Sequence, residues 1–492
     1  MSPSQLFARF ERRFAEQVPA LGLAVFRIAF GLVLMLEVAQ LLYFRELVFV
    51  EVPALAGRPQ WTAAVLVAWL AALVLLVLGL LTRVAAAASY LFTLVTLDRL
   101  GLYAYHHDYL VTGVGFLLLF LPVSRALSLD RWRAERARRR RGEPPLGPAT
   151  ASVLAYDVPV YLTLGLVYFD SGLRKLASPM WRAGLGLWQP ASAPYNTFFD
   201  WSPLLDQELL VRGLGYAGLV FEVAFLFLIG FRRLRWPLLA GGLVLHLGIL
   251  AVFGIPLFAL GMVSLYVLLV PPEFWARWAR HPASGGAAAA GASVPAAAVP
   301  FAAGRRIAVA VFLALATLGQ AFCLLDHGLF ARATAPIRKT PAFASTRQLL
   351  RQVAGITSHS VFMDSRHRPY RRILAVVYVD PDRGEIWLPL LRRSGHAAQY
   401  ATGRQLGFWV HGVCADGASR ERIRDAVRQL TAFWSARHGV SLDAARFRIR
   451  AKTLEPAKGW EPGLLRRQRA RRWRAVGTAS WTAGRFAFEL KP

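Results

Sequence analysis

Long apolar runs alternate with short polar connections over the first two thirds of the chain. The first run covers residues 21–44 and exceeds the ~20 residues that a helix needs to cross a bilayer. Further runs follow at about 61–82, 84–104, 109–124, 152–173, 213–231, 236–254, 256–271 and 306–325. They are rich in Ala, Leu, Val and Gly, as packed membrane helices are. The pattern predicts an all-α polytopic membrane domain of about nine transmembrane helices.

The pattern changes after about residue 330, where apolar and polar positions mix. Alternation over 372–380 predicts a strand, 381–384 a turn and 385–391 the returning strand. Residues 419–438 are typical of a helix that Ser419 opens and Gly439 ends. Two more stretches, 446–454 and 474–490, read as strands. We therefore expect a small α+β domain after the membrane domain.

These patterns divide the chain into three parts. Residues 1–20 form a cytoplasmic N-terminal segment, 21–330 the transmembrane domain and 331–492 the α+β extracytoplasmic domain. An Ala/Gly/Ser/Pro stretch at about 282–303 is typical of a flexible linker between helices. The first apolar run is too long for a signal-peptide core and lacks a small-residue cleavage site, so we expect no cleaved signal.

Composition excludes a chain of ordinary soluble domains. Hydrophobic residues make up 55% and charged residues 18% of the 492 positions, whereas soluble domains carry about 25% charged residues. Two cysteines, Cys323 and Cys414, are too few for a disulfide framework. An integral membrane protein is the class that remains.

The formal net charge of +29 is unevenly placed and predicts the orientation. Arginines precede the first run and recur in every second connection, namely at positions 9, 12 and 13, then 83, then 125–141, then 232–235, then 277–306. Because basic connections stay in the cytoplasm, we expect a cytoplasmic N-terminus and an extracytoplasmic C-terminal domain. The arginine run 138–141 lies in a short connection, which favours contact with anionic lipid over nucleic acid.

Ionisable residues within apolar runs are costly, so they are candidates for function. Arg27 and Glu37 lie in the first run, Glu222 in the sixth and His246 in the seventh. Structural interpretations stay open. Arg27 could pair with a carboxylate to hold helices together, Lys175 could reach the interface, and His246 could make a hydrogen bond between helices. The histidines have no metal-ligand spacing, and we expect no metal site.

A set of short segments resembles a known family. The chain is similar to the vitamin K-dependent gamma-carboxylase family and its bacterial HTTM-domain relatives over roughly residues 20–275. The most specific segment is Gly172-Leu173-Arg174-Lys175-Leu176 with Trp181 and Gly184. The others are residues 26–31, His107-Asp108-Tyr109-Leu110, Tyr168 to Ser171, His246, and Phe258 to Met262.

The resemblance implies an enzyme site. Lys175 would be the catalytic base, with His107 and His246 as further catalytic residues. Desolvation in an apolar pocket favours the neutral amine that a base requires. The cofactor-binding residues implied by the same comparison, some of them aromatic rings able to stack on a flat quinone, are Arg174, Tyr109, Tyr168, Trp181 and Arg27.

The implied reaction is a quinol-linked carboxylation. Reduced vitamin K, a menaquinol-type quinol, would be oxidised by oxygen, and the strong base so produced would remove a γ-proton from glutamate in a secreted peptide or protein, which then adds carbon dioxide. The enzyme would be a carboxylase of the lyase class in the bacterial inner (plasma) membrane. Its expected partners are membrane lipids, quinone and a secreted or periplasmic client, without nucleic acid.

Departures from the animal carboxylases support a second interpretation. Tyr105-His106 stands where those enzymes have an asparagine-rich run, and residues 247–251 after His246 lack their polar side chains. The C-terminal domain is also too short to carry their large lumenal region. The alternative is a non-catalytic protein on the HTTM scaffold, acting as a lipid-binding, export or maturation factor for a secreted client.

Overall fold

The computed structural model describes residues 2–49, 61–279, 302–324, 331–363 and 371–491. The linker expected at about 282–303 lies, up to residue 301, outside these ranges. Within them, the N-terminal two thirds are helical and the C-terminal part contains a sheet. The predicted architecture of a helical domain followed by a small α+β domain is confirmed at this level.

Helices occupy the positions of the predicted apolar runs. The α-helices described up to residue 354, including those between the apolar runs, are α1 (Pro3–Ala15), α2 (Leu21–Tyr43), α3 (Arg45–Val48), α4 (Trp61–Leu78), α5 (Thr82–Arg99), α6 (His106–Leu118), α7 (Leu129–Arg140), α8 (Leu154–Val160), α9 (Leu166–Ala177), α10 (Pro179–Arg182), α11 (Trp188–Ala191), α12 (Ser202–Leu205), α13 (Glu208–Leu228), α14 (Arg235–Val252), α15 (Pro256–Tyr266), α16 (Pro272–Ala279), α17 (Ala302–Leu324), α18 (Ala331–Arg338) and α19 (Pro341–Ala354).

The structure does not show nine membrane spans. Among the described residues, three helices are long and apolar enough to cross a bilayer: Leu21–Tyr43, Glu208–Leu228 and Arg232–Val252. A fourth is possible if Pro256–Leu269 and Pro272–Trp278, bent by 83°, form one broken span. The prediction counted apolar runs, but several of their helices are too short. At 1.5 Å per residue, the 13 residues of α6 reach only about 20 Å.

One predicted span is interrupted by a π-helical turn. Residues Tyr161–Gly165 form this turn between α8 and α9. Pro159 just before it cannot donate a backbone hydrogen bond, and the Thr163 hydroxyl donates to the carbonyl of Pro159 at 2.5 Å. Such turns widen the helical ladder locally and occur often at functional sites. Here the turn lines the cavity described below.

The connections rich in arginine meet at one end of the helical domain. The β1 strand (Gln17–Pro19) pairs there with β2 (Thr150–Ser152). Arg125 donates to the carbonyl of Thr150 at 2.5 Å, and Arg235 pairs with Asp157 at 2.8 Å. The opposite end carries the C-terminal domain. The basic connections and the α+β domain therefore lie at opposite ends of the helices.

The C-terminal domain contains a five-stranded antiparallel sheet. Its elements are β3 (Arg372–Asp380), β4 (Gly384–Trp387), α20 (Arg404–Phe408), α21 (Arg420–His438), β5 (Arg446–Thr453), α22 (Leu464–Ala470), β6 (Arg474–Thr482) and β7 (Arg485–Leu490). The strand order in the sheet is β4-β3-β5-β6-β7. Helix α21 packs on the sheet, and its Thr431 hydroxyl accepts a hydrogen bond from the Trp481 indole at 3.0 Å.

The predicted elements of this domain are largely confirmed. Helix α21 has Ser419 as its N-cap and Gly439, at φ +65°, after its last turn, as the sequence signals predicted. The single strand expected at 474–490 is instead the hairpin β6–β7. Ala483 and Gly484, both at positive φ, make its turn. The strand expected at 385–391 ends at Trp387.

The two parts of the molecule share a hydrophobic core. Four side chains of the helical domain pack among the buried residues of the C-terminal domain: Phe44, Leu47, Tyr103 and Tyr195. The rings of Tyr103 and Phe408 stack with centroids 4.2 Å apart. The C-terminal domain is therefore fastened to the ends of α2 and α6 rather than tethered by a linker.

Candidate functional site

A largely apolar cavity lies between the helices, on the side that carries the C-terminal domain. Helices α6, α9, α13, α14, α15 and α17 contribute to its wall, and the segment after α19 closes it. Most lining side chains are apolar. The polar and ionisable ones are His106, Tyr109, Thr163, Tyr168, Ser171, Lys175, Glu222, His246, Gln320 and His359.

Lys175 and Glu222 form a buried ion pair in this wall. The Lys175 Nζ lies 2.5 Å from Glu222 Oε1, and both side chains are more than 90% buried. Helices α9 and α13 approach closely because Gly172 has no side chain; a Cβ there would lie 2.7 Å from Val223. The attraction within a buried ion pair offsets the desolvation of its two charges only when the geometry is close. Apolar packing alone would not place such a pair here.

Trp181 covers the amine of Lys175. After α9 ends, Ser178 caps the short helix α10 by accepting from the Trp181 backbone N–H. This turn brings the Trp181 ring to 4.4 Å from Nζ, and the indole N–H donates to the carbonyl of Phe362 at 2.9 Å. A cation–π contact of this kind is strengthened by desolvation.

Arg174 points away from the cavity. It pairs with Asp170 at 3.2 Å and donates to the carbonyl of Cys323 in α17 at 3.3 Å. Asp170 Oδ2 also accepts the backbone N–H of His359 at 2.6 Å. Arg174 therefore fastens α17 to α9, and Asp170 fastens the segment after α19. Arg174 does not line the cavity.

His246 ends a chain of hydrogen-bonding groups. Its Nδ1 lies 3.1 Å from the Tyr266 hydroxyl and 3.2 Å from the carbonyl of Gly242. The hydroxyls of Tyr266 and Tyr168 are hydrogen-bonded to each other. Tyr266 fits only because residue 242 is glycine, since a Cβ there would lie 2.3 Å from the ring. His246 and Tyr168 thus face the cavity with their polar groups connected.

Two further histidines, His106 and His359, line the cavity and contact each other. His106 Nε2 and His359 Nδ1 are 2.5 Å apart, and Nε2 of His359 is buried with no hydrogen-bond partner among the described residues. His359 comes from the segment after α19, in a region where no sequence pattern marked it. His106 was visible as the neighbour of His107, but the resembling segment begins at His107, so the sequence analysis selected His107 and not His106.

His107 lies outside this cavity, in a separate polar cluster. Its Nε2 is 3.8 Å from Glu37 Oε2. Glu37 and Asp108 both pair with Arg404 of the C-terminal domain, and the two bonds from Arg404 to the Asp108 carboxylate measure 2.7 and 3.0 Å. His106 and His107 are neighbours near the start of α6, where successive side chains point about 100° apart. One therefore faces the cavity and the other faces α2.

Arg27 lies at the opposite end of the helical domain from Arg404. Its guanidinium donates to the carbonyls of Val123 at 2.7 Å, Leu127 at 2.6 Å and Val77 at 3.3 Å. It precedes Glu37 by ten residues, which is about 15 Å along α2. Arg27 therefore holds the ends of neighbouring helices and is remote from the cavity.

The structure thus separates the predicted site residues into groups. Lys175, His246, Tyr109 and Tyr168 line the cavity, and Trp181 contacts Lys175. Arg174, His107 and Arg27 do not line it. Glu222 was visible in the sequence as an acid in an apolar helix, but its pairing with Lys175 depends on how α9 packs against α13.

These features define a class: a helical membrane-type domain with a buried lysine–glutamate pair in the wall of an apolar cavity. The particular family follows from comparison with known proteins. A family model described as HTTM domain matches residues 16–275, more than half of the chain, and the chain belongs to the HTTM domain family. This domain is found in the vitamin K-dependent carboxylase family. No curated protein and no solved structure matches the chain.

Proposed function

We propose that this chain is a quinol-linked, carboxylase-like membrane enzyme in which Lys175 is the base. The observation that carries the proposal is the Lys175–Glu222 pair buried in the wall of a largely apolar cavity. A lysine that only reached the membrane interface would extend its amine towards water. This amine is directed inward instead, between a carboxylate and the Trp181 ring.

The pair gives Lys175 a route to become a base. Glu222 Oε1, 2.5 Å from Nζ, is placed to accept the proton that Lys175 must lose to act as a base. Glu222 Oε2, buried and without a hydrogen-bond partner among the described residues, is free to accept from a group in the cavity.

The cavity residues fit a quinol. Its ring matches a space whose wall is mostly apolar and includes the rings of Tyr109 and Phe258. Its hydroxyls match Glu222 Oε2 and His359 Nε2, which have no hydrogen-bond partner within the described part of the chain. When bound, a quinol supplies an acidic hydroxyl and two electrons for the reduction of oxygen. Lys175 would accept the hydroxyl proton, and the burial of its side chain would limit the access of water to the base.

The client we propose is an acidic segment of a secreted protein, carboxylated at glutamate with carbon dioxide. Residues 331–492 contain 31 Lys and Arg but only 11 Asp and Glu, which favours an acidic partner. The same domain sits over the end of α6 where the cavity lies. With the arginine-rich connections in the cytoplasm of a bacterial cell, this domain would face the outer side of the inner membrane.

The test is Lys175→Arg, which keeps the positive charge but cannot act as a base, since arginine stays protonated in proteins. We expect quinol oxidation and carbon dioxide fixation into glutamyl peptide to fall by about 10²–10⁴-fold. Lys458→Arg, the same exchange at an exposed lysine, should keep the activity of the parent. Glu222→Gln should lower turnover too, because the amide cannot take the proton.

Two outcomes would contradict the proposal. Activity of Lys175→Arg within about threefold of the parent would make Lys175 a structural residue, since general-base assistance is worth far more. A folded parent that oxidises no quinol would favour the non-catalytic HTTM scaffold. In that case quinone or lipid binding, measured on the same preparation, identifies what the cavity holds.

A further inference from the structure

Two histidines from distant parts of the chain share a hydrogen bond at the cavity. His106 begins α6, and His359 lies in the segment that follows α19. Both line the cavity, and His106 Nε2 lies 2.5 Å from His359 Nδ1. The segment that resembles the carboxylases begins only at His107. The pair is therefore an addition to the site residues that the resemblance implies.

The backbone around His359 is fixed near Lys175. The His359 N–H donates to Asp170 Oδ2 at 2.6 Å, and Asp170 precedes the lysine by about 7.5 Å along α9. Further along the same segment, the carbonyl of Phe362 accepts the indole N–H of Trp181 at 2.9 Å. The Trp181 ring in turn lies 4.4 Å from Lys175 Nζ. The segment is thus fastened to residues that flank Lys175 in the chain on both sides.

The hydrogen bond between the two imidazoles holds one proton, and its position decides what His359 offers to a ligand. A neutral imidazole carries a single N–H, on either of its two nitrogens. His359 Nε2 is buried and has no hydrogen-bond partner among the described residues. A proton there would leave a buried N–H without an acceptor, which proteins avoid more strictly than a bare acceptor. The proton of His359 therefore lies on Nδ1 and is donated to His106, and Nε2 is a bare acceptor.

Burial keeps His359 in this neutral form. Together with the nearby cation of Arg174, burial lowers the pKa of His359 to about 3. Near neutral pH the ring carries one proton, so Nε2 accepts a hydrogen bond and cannot donate one. Glu222 Oε2 is a second buried atom of the cavity wall without a partner in the described part of the chain, and an ionised carboxylate is also only an acceptor. Both atoms match a ligand that donates.

We propose that His359 makes the cavity selective for the reduced form of its ligand, and that His106 is the residue that positions its proton. A quinol presents two hydroxyl donors, whereas the oxidised quinone presents only carbonyl acceptors. A quinol at His359 completes a hydrogen bond, but a quinone places one lone pair against another. The inference rests on the proposed quinol site and adds the feature that distinguishes its two oxidation states. Such selection keeps spent quinone from occupying the cavity.

The experiment measures binding rather than turnover. Full-length protein in detergent is equilibrated without oxygen with menadiol, with menadione or with the dimethyl ether of menadiol, and bound ligand is measured by dialysis. We expect menadiol to bind at least about tenfold more tightly than the other two, because a buried acceptor left unpaired is costly. His359→Phe should lower this preference about tenfold. His106→Phe should lower it as well, since the proton of His359 is then no longer held on Nδ1.

The ratio of affinities separates selectivity from structural damage, because a collapsed cavity would weaken the binding of all three ligands together. His438→Phe, the same exchange at an exposed histidine, should keep the preference of the parent. If His359→Phe does not fold, His359→Gln serves instead. Its amide both donates and accepts, so the affinities for menadiol and menadione should come within about threefold of each other.

Failure of this inference differs from failure of the proposed function. Equal binding of menadiol and menadione to the parent, or an unchanged preference in a folded His359→Phe protein, would overturn the selectivity and leave the quinol site standing. A parent that binds none of the three ligands would overturn both. Magnetic resonance of isotope-labelled histidine needs no ligand and tests the assignment directly. We expect the proton of His359 on Nδ1, and a proton on Nε2 would reject the inference.

Discussion

At the scale of single residues, His396 shows how burial of one titratable group affects the C-terminal domain. The side chain is buried, its Nδ1 lies 2.9 Å from the Ser394 hydroxyl, and Nε2 has no hydrogen-bond partner among the described residues. Burial, aided by the nearby cation of Arg469, lowers the pKa of His396 to about 4. The folded protein therefore holds this imidazole neutral over a range in which an unfolded chain would protonate it.

We predict that stability falls between pH ~6.5 and ~4, because only the unfolded state then binds the proton on His396. His396→Gln should flatten this part of the profile, with a change of up to about 3 kcal/mol. The measurement is thermal unfolding of the full chain across this range. His438→Gln, at an exposed histidine, should keep the profile of the parent. An equal profile for both variants would remove His396 from the explanation.

Single residues also show where sequence reasoning succeeds. Lys175 was predicted because its motif is specific, and it lies at the cavity. Its partner Glu222 lies 47 positions away, so only the packing of α9 on α13 brings them together. The resemblance implied that Arg27 binds the cofactor, but its guanidinium lies on the carbonyls of Val77, Val123 and Leu127 at the other end of the helices. A short matching segment does not show which end of a helix bundle its charged residue serves.

At the scale of elements, the end of α19 is the part of the cavity wall most sensitive to a small change. Gly355 ends the helix at φ +65°. It lies against α6 so closely that a Cβ would be 2.0 Å from the carbonyl of Tyr109 and 2.6 Å from the backbone nitrogen of Gly113. Both neighbours are backbone atoms, which cannot move away by changing rotamer as a side chain can. The wall of the cavity therefore requires glycine at this point.

We predict that Gly355→Ala destabilises the protein by several kcal/mol and loosens the wall. Gly439 is the matched control, since it ends α21 at the same φ of +65° but has open space around it. Gly439→Ala should cost only about 1 kcal/mol, the penalty of the left-handed conformation. Thermal unfolding of both variants makes the comparison. Equal losses would mean that the contact with α6 is unimportant.

Elements were predictable in position and less so in extent. The apolar run 109–124 matches α6, but the helix is His106–Leu118, because hydropathy does not register where a helix stops. Only long uninterrupted helices such as α2 pass as spans. The strand expected at 474–490 is divided by a turn at Ala483 and Gly484. The alternation of apolar and polar side chains continues through this turn and therefore did not indicate it.

At the scale of the whole molecule, Arg404 joins the two domains. Its fully buried guanidinium binds Asp108 in a bidentate manner and Glu37 as well. We predict that Arg404→Lys lowers the thermal stability of the full chain by about 2–5 kcal/mol, because lysine cannot make the forked contact and the carboxylates stay buried. Arg437→Lys, at a surface contact with Tyr43, should cost under about 1 kcal/mol. Equal costs would contradict a central role for Arg404.

The orientation in the membrane can be tested with two glycines. Gly417 and Gly147 are exposed and have open space where a side chain would go. The native cysteines, Cys323 and Cys414, are buried and should give little background. We predict that an impermeant thiol reagent labels Gly417→Cys in intact cells and Gly147→Cys only after lysis. The reverse result would invert the topology.

The wall formed by residues 354–362 has a consequence for biosynthesis. Lys175 and Glu222 emerge from the ribosome well before His359, and at 5–20 residues per second the delay is on the order of ten seconds. During that time the α9–α13 contact can form, but the side of the cavity that His359 and Gly355 close is still missing. The family region, residues 16–275, would therefore be complete before this part of the cavity wall exists, and the wall would be finished only after residue 359 has been synthesised.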